Sequence, residues 1–287
     1  MTEFDFIGAL RAIADAPGAR RLQDDAALLD VGGETLVLTH DTIVQGVHIR
    51  EDEDPADIAW KLVAVNLSDL AAKGAQPLGV LVSHMLGDGD ERFVDGLRDV
   101  LVAHDVSLLG GDTVRAEGRR SWGCTAIGKA THMPVPDRRG AAPGDGVYVS
   151  GTIGRAMLGM EDRGSGSQND LAYRRPKPLL AEGALLAPVV SAMMDVSDGL
   201  LLDCWRLAQA SDCTIRLASD SFPVADRTRA HECVRWGDDY QLLFTAPVDA
   251  SLPVAATRIG SVDESGGGAL WMDDDLMTSP QDLGYQH

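Results

Sequence analysis

Aspartates that stand beside glycines or at the ends of predicted elements are the residues of this chain best suited to chemistry. They recur along the sequence as Asp24-Asp25 before a strand, Asp41 at the end of a strand, Asp69 within a helix, Asp112 after Gly110-Gly111, and Asp195 and Asp198 around Val196-Ser197. Taken singly, each is typical of a cap or a turn, because Asp bonds readily to nearby backbone groups. Two carboxylates about 4 Å apart repel each other by about 4 kcal/mol at an effective dielectric of about 20. A cluster would therefore require a cation, and oxygen ligands of this kind indicate Mg²⁺ or Ca²⁺; the sequence leaves open whether the aspartates converge.

Gly110-Gly111-Asp112-Thr113 suits a close backbone approach to a phosphate. Glycine has no side chain to keep an anion away from the backbone N–H groups, and Asp112 would then bind the accompanying metal. A plain turn is the alternative interpretation.

A second glycine motif, from Gly123 to Lys129, spells the G-x-x-x-x-G-K of a phosphate-binding loop. The next residue is Ala130, where that motif needs Ser or Thr to bind magnesium. The segment also alternates like a strand and opens no helix, so we interpret the match as a coincidence.

One helix must position the central aspartate. It is predicted to start at Asp54-Pro55, a cap followed by a first-turn proline, and to end near Gly74. Asn66 and Asp69 lie three residues apart and therefore share a face of this helix. That face is either a polar stripe in contact with water or a pair of side chains aimed at one charged group.

The remaining aspartates depend on predicted strands and turns. ALLDV and TLVLTHD form a hairpin around Gly32-Gly33 whose second strand ends at Asp41, and SLLGGDT is a strand that breaks into a glycine turn. MMD is a strand that leads through an acidic turn into a helix capped by Asp198, and residues 164–170 form a flexible loop. PLGVLVSHML, ERFVDGLRDVLVAHD and SLLGGDT are predicted as strand, helix and strand. This order predicts an α/β or α+β layer with carboxylates at the strand ends.

Composition limits the class of protein. The 287 residues carry 44 acidic and 25 basic side chains, a net charge of −19, which argues against a nucleic-acid or anionic-membrane binder. The first residues have no long apolar run, so we expect no signal peptide. The sequence nowhere has eighteen consecutive apolar residues, so we expect no membrane-spanning helix. The four cysteines form no C-x-x-C pair and are typical of reduced thiols, so we expect a cytoplasmic protein.

Eight collinear blocks resemble the thiamine-monophosphate kinases, within the superfamily of aminoimidazole ribonucleotide synthetases and selenophosphate synthetases. They run from residue 24 to 287 and read DDAALL, THDTIVQGVH, NLSDLAAKGAQPLG, LLGGDT, RRGAAPGD, MDVSDGLLLD, GDDYQLLFT and GYQH. The resemblance implies an α+β, two-domain synthetase-like fold. Residues 1–137 would form an N-terminal mixed sheet with helices that binds ATP and Mg²⁺ and dimerises, and residues 138–287 a C-terminal α/β domain that completes the active site.

The resemblance also implies roles for individual residues. Several Mg²⁺ ions would be bound by Asp24, Thr39, His40 through its backbone, Asp41, Asp69, Asp112, Asp195 and Asp198. ATP would be held by Gly111, Asp112, Arg138 and Ser197, and thiamine monophosphate by His48, Asp238 and Tyr285. No side chain is expected to act as a catalytic base, because the attacking phosphate oxygen is already anionic. The chain departs from the family pattern at Gln23, His40, Asp238 and Gln241.

The function implied is transfer of the γ-phosphoryl group of ATP to thiamine monophosphate, by direct in-line attack within a homodimer. An ATP-dependent synthetase of the same superfamily that acts on another small molecule is one alternative. A non-catalytic nucleotide- or metal-binding paralogue is another. Turnover separates the paralogue from the two enzymes, and substrate dependence separates the enzymes from each other.

Overall fold

The computed structural model describes residues 3–285, so the last two residues of the GYQH block lie outside the described chain. Its helices are α1 Glu3–Arg11, α2 Pro55–Ala72, α3 Asp90–His104, α4 Arg155–Glu161, α5 Gln168–Arg174, α6 Leu180–Leu186, α7 Leu200–Ser211 and α8 Ala230–Trp236. Its strands are β1 Ala27–Val31, β2 Glu34–Val44, β3 Ala75–Met85, β4 Ser107–Val114, β5 Ser121–Ala130, β6 Asp145–Ser150, β7 Ala192–Asp195, β8 Cys213–Leu217, β9 Leu242–Pro247, β10 Ala256–Ser265, β11 Leu270–Met272 and β12 Asp275–Leu276. Within residues 3–285, no helix is long and apolar enough to cross a bilayer.

The N-terminal sheet has five strands in the order β1-β2-β5-β3-β4. β3 and β4 run parallel and the other neighbours antiparallel, so the expected mixed sheet is confirmed. The predicted hairpin around Gly32-Gly33 is also confirmed, although β2 continues past Asp41 to Val44. β1 pairs only with residues 34–38 of β2, which leaves residues 39–44 paired on one side, to β5, within the described chain.

Strand β4 forms one edge of this sheet, and every one of its residues is exposed. The predicted break into a glycine turn is wrong: β4 shifts register just before Gly110 but continues through Gly110-Gly111 because it pairs with β3, with Gly111 opposite Val82. At Gly111 φ is 156°, and a Cβ there would lie 1.9 Å from the carbonyl oxygen of Val82. The glycine is therefore required by the close approach of the neighbouring strand.

The C-terminal sheet has seven strands in the order β12-β11-β8-β10-β6-β9-β7. Its neighbours are antiparallel except for β8 and β11. A core that includes Leu201, Leu207, Ile215 and Leu243 packs α7 against it. Two sheets with their own helices confirm the α+β class, while the boundary between residues 137 and 138 stays a prediction.

Helix α2 lies between the two sheets and is almost completely buried. Its carboxylate cap is Asp54, which accepts a hydrogen bond of 2.9 Å from the N–H of Ala56; such a cap stabilises a helix by about 1 kcal/mol. The helix ends just before Gly74, as predicted, and Gly74 has a φ of 58° in the left-handed region. Sixteen of its 18 residues are buried, so the polar stripe of α2 is not in contact with water.

Candidate active site

Three aspartates from distant parts of the chain meet beside helix α2. Asp25 precedes β1, Asp69 lies in the last turns of α2, and Asp195 ends β7. One carboxylate oxygen from each lies within 4.8 Å of the other two. The sequence left this convergence open, and the fold brings the three together because α2 packs between the two sheets.

Burial and mutual repulsion oppose ionisation of this cluster. Burial, reinforced by the charge of Asp25, raises the pKa of Asp195 to about 7. Burial and the charges of Asp41, Asp195 and Asp25 raise the pKa of Asp69 well above its ordinary value. Burial, with Asp25 again adding to it, raises the pKa of Asp41 to about 6. These carboxylates are fully ionised at neutral pH only when a cation is near them.

The residues fit a hard divalent cation. All the clustered donors are carboxylate oxygens, the ligand type that Mg²⁺ and Ca²⁺ prefer. One of them, Oδ2 of Asp25, is buried without a hydrogen-bond partner, and a buried unpaired carboxylate oxygen is costly unless it binds an ion or a donor.

Asp24, the first of the paired aspartates, is turned away from the cluster. Its carboxylate is fully buried and forms ion pairs with Arg20 and Lys73. Burial alone would raise the pKa of Asp24, but the charges of Lys73 and Arg20 outweigh it and hold the pKa below its ordinary value. Asp25 was not among the predicted ligands, but it is the residue of the Asp24-Asp25 pair that lies in the cluster. The pair itself was the signal in the sequence that could have identified it.

Strand β2 contributes the neighbouring predicted ligands. The Thr39 hydroxyl donates a hydrogen bond to Oδ2 of Asp69, and the backbone N–H of Asp41 donates to Oδ1 of Asn66 at 3.1 Å. The His40 side chain points to the other face and lies 2.8 Å from Oγ1 of Thr125. Asn66 and Asp69 thus both face residues 39–41 within β2, and the interpretation of this helical face as a stripe in contact with water is wrong.

A cavity of about 340 Å³ opens beside the unpaired edge of β2. Asp24, Asp25, Thr39 and His40 are among the residues that line it. Arg138 forms an ion pair with Oδ1 of Asp25, so a guanidinium group lies at the same cluster.

The loop 196–199 follows β7 and carries the predicted Ser197 and Asp198. Its backbone is held by Asp203, whose Oδ2 accepts hydrogen bonds of 3.1 Å from the N–H groups of Ser197 and Asp198. Asp198 forms an ion pair with Arg206 and does not cap α7, whose N-cap is Gly199. Burial raises the pKa of Asp203 to about 7 against the opposing charge of Arg206; sequence reasoning overlooked this residue, although the SDGLLLD block contains it.

Asp112 is not brought to the cluster within one chain. Asp41, Cys124, Val82 and Gly111 are register partners on successive strands β2, β5, β3 and β4. Three strand spacings separate the ends of this row by about 14 Å. Gly111 and Asp112 therefore lie on the far, exposed edge of the sheet.

Two of the residues predicted to contact the acceptor, His48 and Asp238, lie at Lys61 in the first half of α2. Nζ of Lys61 is 2.7 Å from Oδ2 of Asp238 and 3.2 Å from the carbonyl oxygen of His48. The backbone N–H of Asp238 donates to the carbonyl oxygen of Ser197 at 2.8 Å, and that of Tyr285 to Asp198 at 2.9 Å. The loop 196–199 thus touches both the acidic cluster and the predicted acceptor residues.

Comparisons with known proteins place this arrangement in a class. The family model for the N-terminal domain of AIR synthase related proteins matches residues 23–130, and the model for their C-terminal domain matches residues 142–271. The two sheets are thus the two domains of an AIR synthase related protein.

Proteins similar to this chain over most of its length identify the family within this class. Thiamine-monophosphate kinase from Escherichia coli K12 is 36% identical over 83% of this chain and 80% of its own length. The enzyme of the same name from Salmonella typhimurium is 34% identical over 92% of this chain and 90% of its own length. The structure of AaThiL complexed with AMPPCP and TMP superposes with a TM-score of 0.89 at 26% identity, and covers 100% of this chain and 97% of that one. The chain belongs to the thiamine-monophosphate kinase family.

Proposed function

We propose that this protein transfers the γ-phosphoryl group of ATP to the phosphate of thiamine monophosphate, giving thiamine diphosphate and ADP. The observation that carries the proposal is the convergence of Asp25, Asp69 and Asp195 in a chain of the thiamine-monophosphate kinase family. A structural neighbour of TM-score 0.89 is described as complexed with AMPPCP and TMP, an ATP analogue and the acceptor.

Mg²⁺ is the proposed metal, held by Asp25, Asp69 and Asp195 with Asp41 beside them. An ion held there would supply charge neutralisation at the phosphate oxygens during transfer. Asp24, Asp198, Thr39 and the backbone of His40 stay predictions for further ions, and in Asp24 the ion pairs with Arg20 and Lys73 compete with that role.

The chain's own groups position the reactants. Arg138 presents a guanidinium at the cluster, suited to phosphate oxygens. Ser197 stands on a loop whose backbone is fixed by Asp203, which holds its backbone N–H in place. No base is needed, because the attacking phosphate oxygen is anionic, and positioning with charge neutralisation supplies most of the catalysis of such transfers.

A second copy of the chain completes the site in this proposal. The exposed strand β4 carries Leu108 and Leu109, which are 50% and 55% exposed, next to Gly111 and Asp112. Long exposed edge strands invite pairing with another chain. Because Asp112 lies about 14 Å from Asp41 within one chain, we expect a partner's β4 to approach the open edge of β2 and bring Gly111 and Asp112 to the bound nucleotide.

The cytoplasmic localisation belongs to the same proposal, and the four free, buried cysteines are compatible with a reducing compartment.

The test is to incubate the protein with Mg-ATP, with and without thiamine monophosphate, and to resolve ADP and thiamine diphosphate by chromatography. Equal amounts of both products, formed only with the acceptor present, are expected. ADP without thiamine diphosphate would point to a synthetase acting on another molecule. Nucleotide binding without ADP would point to a non-catalytic paralogue, and either result would overturn the proposal.

A further inference from the structure

Lys61 is a buried cation whose place in helix α2 is not explained by packing. Its side chain is 2% exposed, in a helix whose other core positions are mostly apolar. An ammonium group removed from water is costly unless it is paired and hydrogen-bonded. A leucine at this position would avoid that cost, so the cation must be retained for its partners.

The partners of Lys61 come from three separate segments. Its Nζ lies 2.7 Å from Oδ2 of Asp238, 3.2 Å from the carbonyl oxygen of His48, and 4.4 Å from the ring centroid of Tyr173. Asp238 and His48 are two of the residues predicted to contact the acceptor. Lys61 therefore bonds to both sides of the predicted acceptor pocket, one side from each domain.

The carboxylate of Asp238 is held at both of its oxygens. While Oδ2 pairs with Lys61, Oδ1 accepts a hydrogen bond of 2.8 Å from the Tyr240 hydroxyl. Asp238 has a φ of 59°, a conformation that costs a non-glycine residue about 1 kcal/mol or more and persists where surrounding contacts enforce it. Its side chain is nevertheless 25% exposed, so lone pairs remain open to a ligand.

The spacing along α2 suits an elongated acceptor. Lys61 and Asp69 are eight positions apart on the same helix, which separates them by about 12 Å along its axis. An acceptor with its phosphate at Asp69 can therefore place its heterocycles near Asp238.

We propose that Lys61 is a positioning residue for the acceptor: it holds the Asp238 carboxylate in the orientation that accepts hydrogen bonds from the heterocyclic end of thiamine monophosphate. This inference rests on the proposed function for the identity of the acceptor. It assigns to Lys61 a role in acceptor affinity, exerted through Asp238, and none in nucleotide binding.

The test compares Lys61→Met with a matched control, Arg175→Met. Arg175 lies in the same interdomain interface, pairs with Asp57 and stacks over the Trp60 ring 5.2 Å away, but touches no predicted acceptor residue. KM for thiamine monophosphate, KM for ATP and kcat are measured for each, and acceptor affinity is measured separately by calorimetry without nucleotide. Lys61→Met should raise KM and Kd for the acceptor about tenfold or more, as expected for a buried pair that loses one partner, and leave KM for ATP within about twofold. Arg175→Met should leave all of these values within about twofold.

Further variants show whether Lys61 acts through Asp238. Lys61→Arg keeps the charge and should recover part of the acceptor affinity. The double variant Lys61→Met with Asp238→Asn should bind the acceptor no more weakly than the worse single variant, because the two residues act as one unit. The inference is overturned by an unchanged acceptor affinity in Lys61→Met, by an equal rise in KM for ATP, or by effects of the two substitutions that multiply.

The calorimetric measurement separates this inference from the proposed function. If the wild-type protein binds the acceptor but does not phosphorylate it, the proposed kinase activity is refuted. The inference about Lys61 then still predicts that Lys61→Met weakens acceptor binding. Wild-type protein that neither binds nor phosphorylates the acceptor would refute both.

Discussion

Replacing Asp195 with asparagine should stabilise the metal-free protein at neutral pH. Asp195 is 2% exposed and its pKa is about 7 in the folded state, against about 3.9 for Asp in an unfolded chain. As pH rises from about 4 to about 7, the unfolded chain loses the proton first, so the folded state loses about 1.4 kcal/mol of stability per pH unit. Between pH 5 and pH 7 this amounts to about 2 kcal/mol, because the slope falls as Asp195 itself begins to ionise near pH 7.

Asparagine abolishes that titration and keeps an oxygen for the Ser68 hydroxyl, which donates to Asp195 at 2.5 Å. Urea unfolding in EDTA at pH 5 and pH 7 should therefore show a steeper loss of stability in the wild type than in Asp195→Asn. Addition of Mg²⁺ should reverse the order, because a bound ion at 100 times its Kd stabilises the wild type by about 2.7 kcal/mol and the variant lacks a ligand.

Asp263→Asn is the matched control, since Asp263 is an exposed carboxylate paired with Arg216 on the C-terminal sheet. It should change neither the pH dependence nor the response to Mg²⁺. Equal pH slopes for wild type and Asp195→Asn in EDTA would refute the reasoning that the cluster is electrostatically strained without a cation.

Three further substitutions follow from the site. Asp69→Asn should lower kcat at least about 100-fold through lost charge neutralisation, with an unchanged circular dichroism spectrum; near-normal kcat would contradict the metal assignment. Gly111→Ala should lower the unfolding free energy by about 1–3 kcal/mol, because its Cβ would meet the Val82 carbonyl, and an unchanged urea midpoint would show that β3 and β4 pair less closely. Asp203→Asn should loosen loop 196–199, whose backbone Asp203 binds, and raise KM for ATP several-fold; its stability should change as well, because Asp203 is buried and pairs with Arg206. A change in stability with an unchanged KM for ATP would make Asp203 a purely structural residue.

Local signals in the sequence were sufficient for helix α2 and for the first hairpin. Asp54 and Pro55 encode the start of α2 within the chain's own neighbouring residues, and Gly32-Gly33 encodes the turn between β1 and β2. Such signals act over a few residues and need no knowledge of the rest of the fold. Helix α5 was missed because glycines precede it in the segment 164–170, although Ser167 accepts a hydrogen bond from the Asp170 N–H as its cap.

Pairing between distant segments decided the features that sequence reasoning missed. β4 continues through its two glycines because β3 supplies the hydrogen-bonding partners, and nothing adjacent in sequence indicates this. The choice between Asp24 and Asp25 likewise depends on Lys73, which is remote in sequence and pairs with Asp24. The position of Asp112 across the sheet from Asp41 is a consequence of strand order, which no local signal in the sequence indicates.

Helix α2 is buried and yet carries many polar residues, and their contacts show why. Asn66 and Asp69 face residues 39–41 of β2, while Asp57, Lys61 and Ser68 reach the C-terminal domain. Each of these groups costs free energy to bury, and a helix evolved for stability alone would bury apolar side chains. Because a helix is stiff over its length, it fixes the separation between Lys61 and Asp69 at about 12 Å. We infer that the polar residues of α2 allow one rigid element to set the distance between the proposed acceptor pocket at Lys61 and the acidic cluster at Asp69, at a cost in stability.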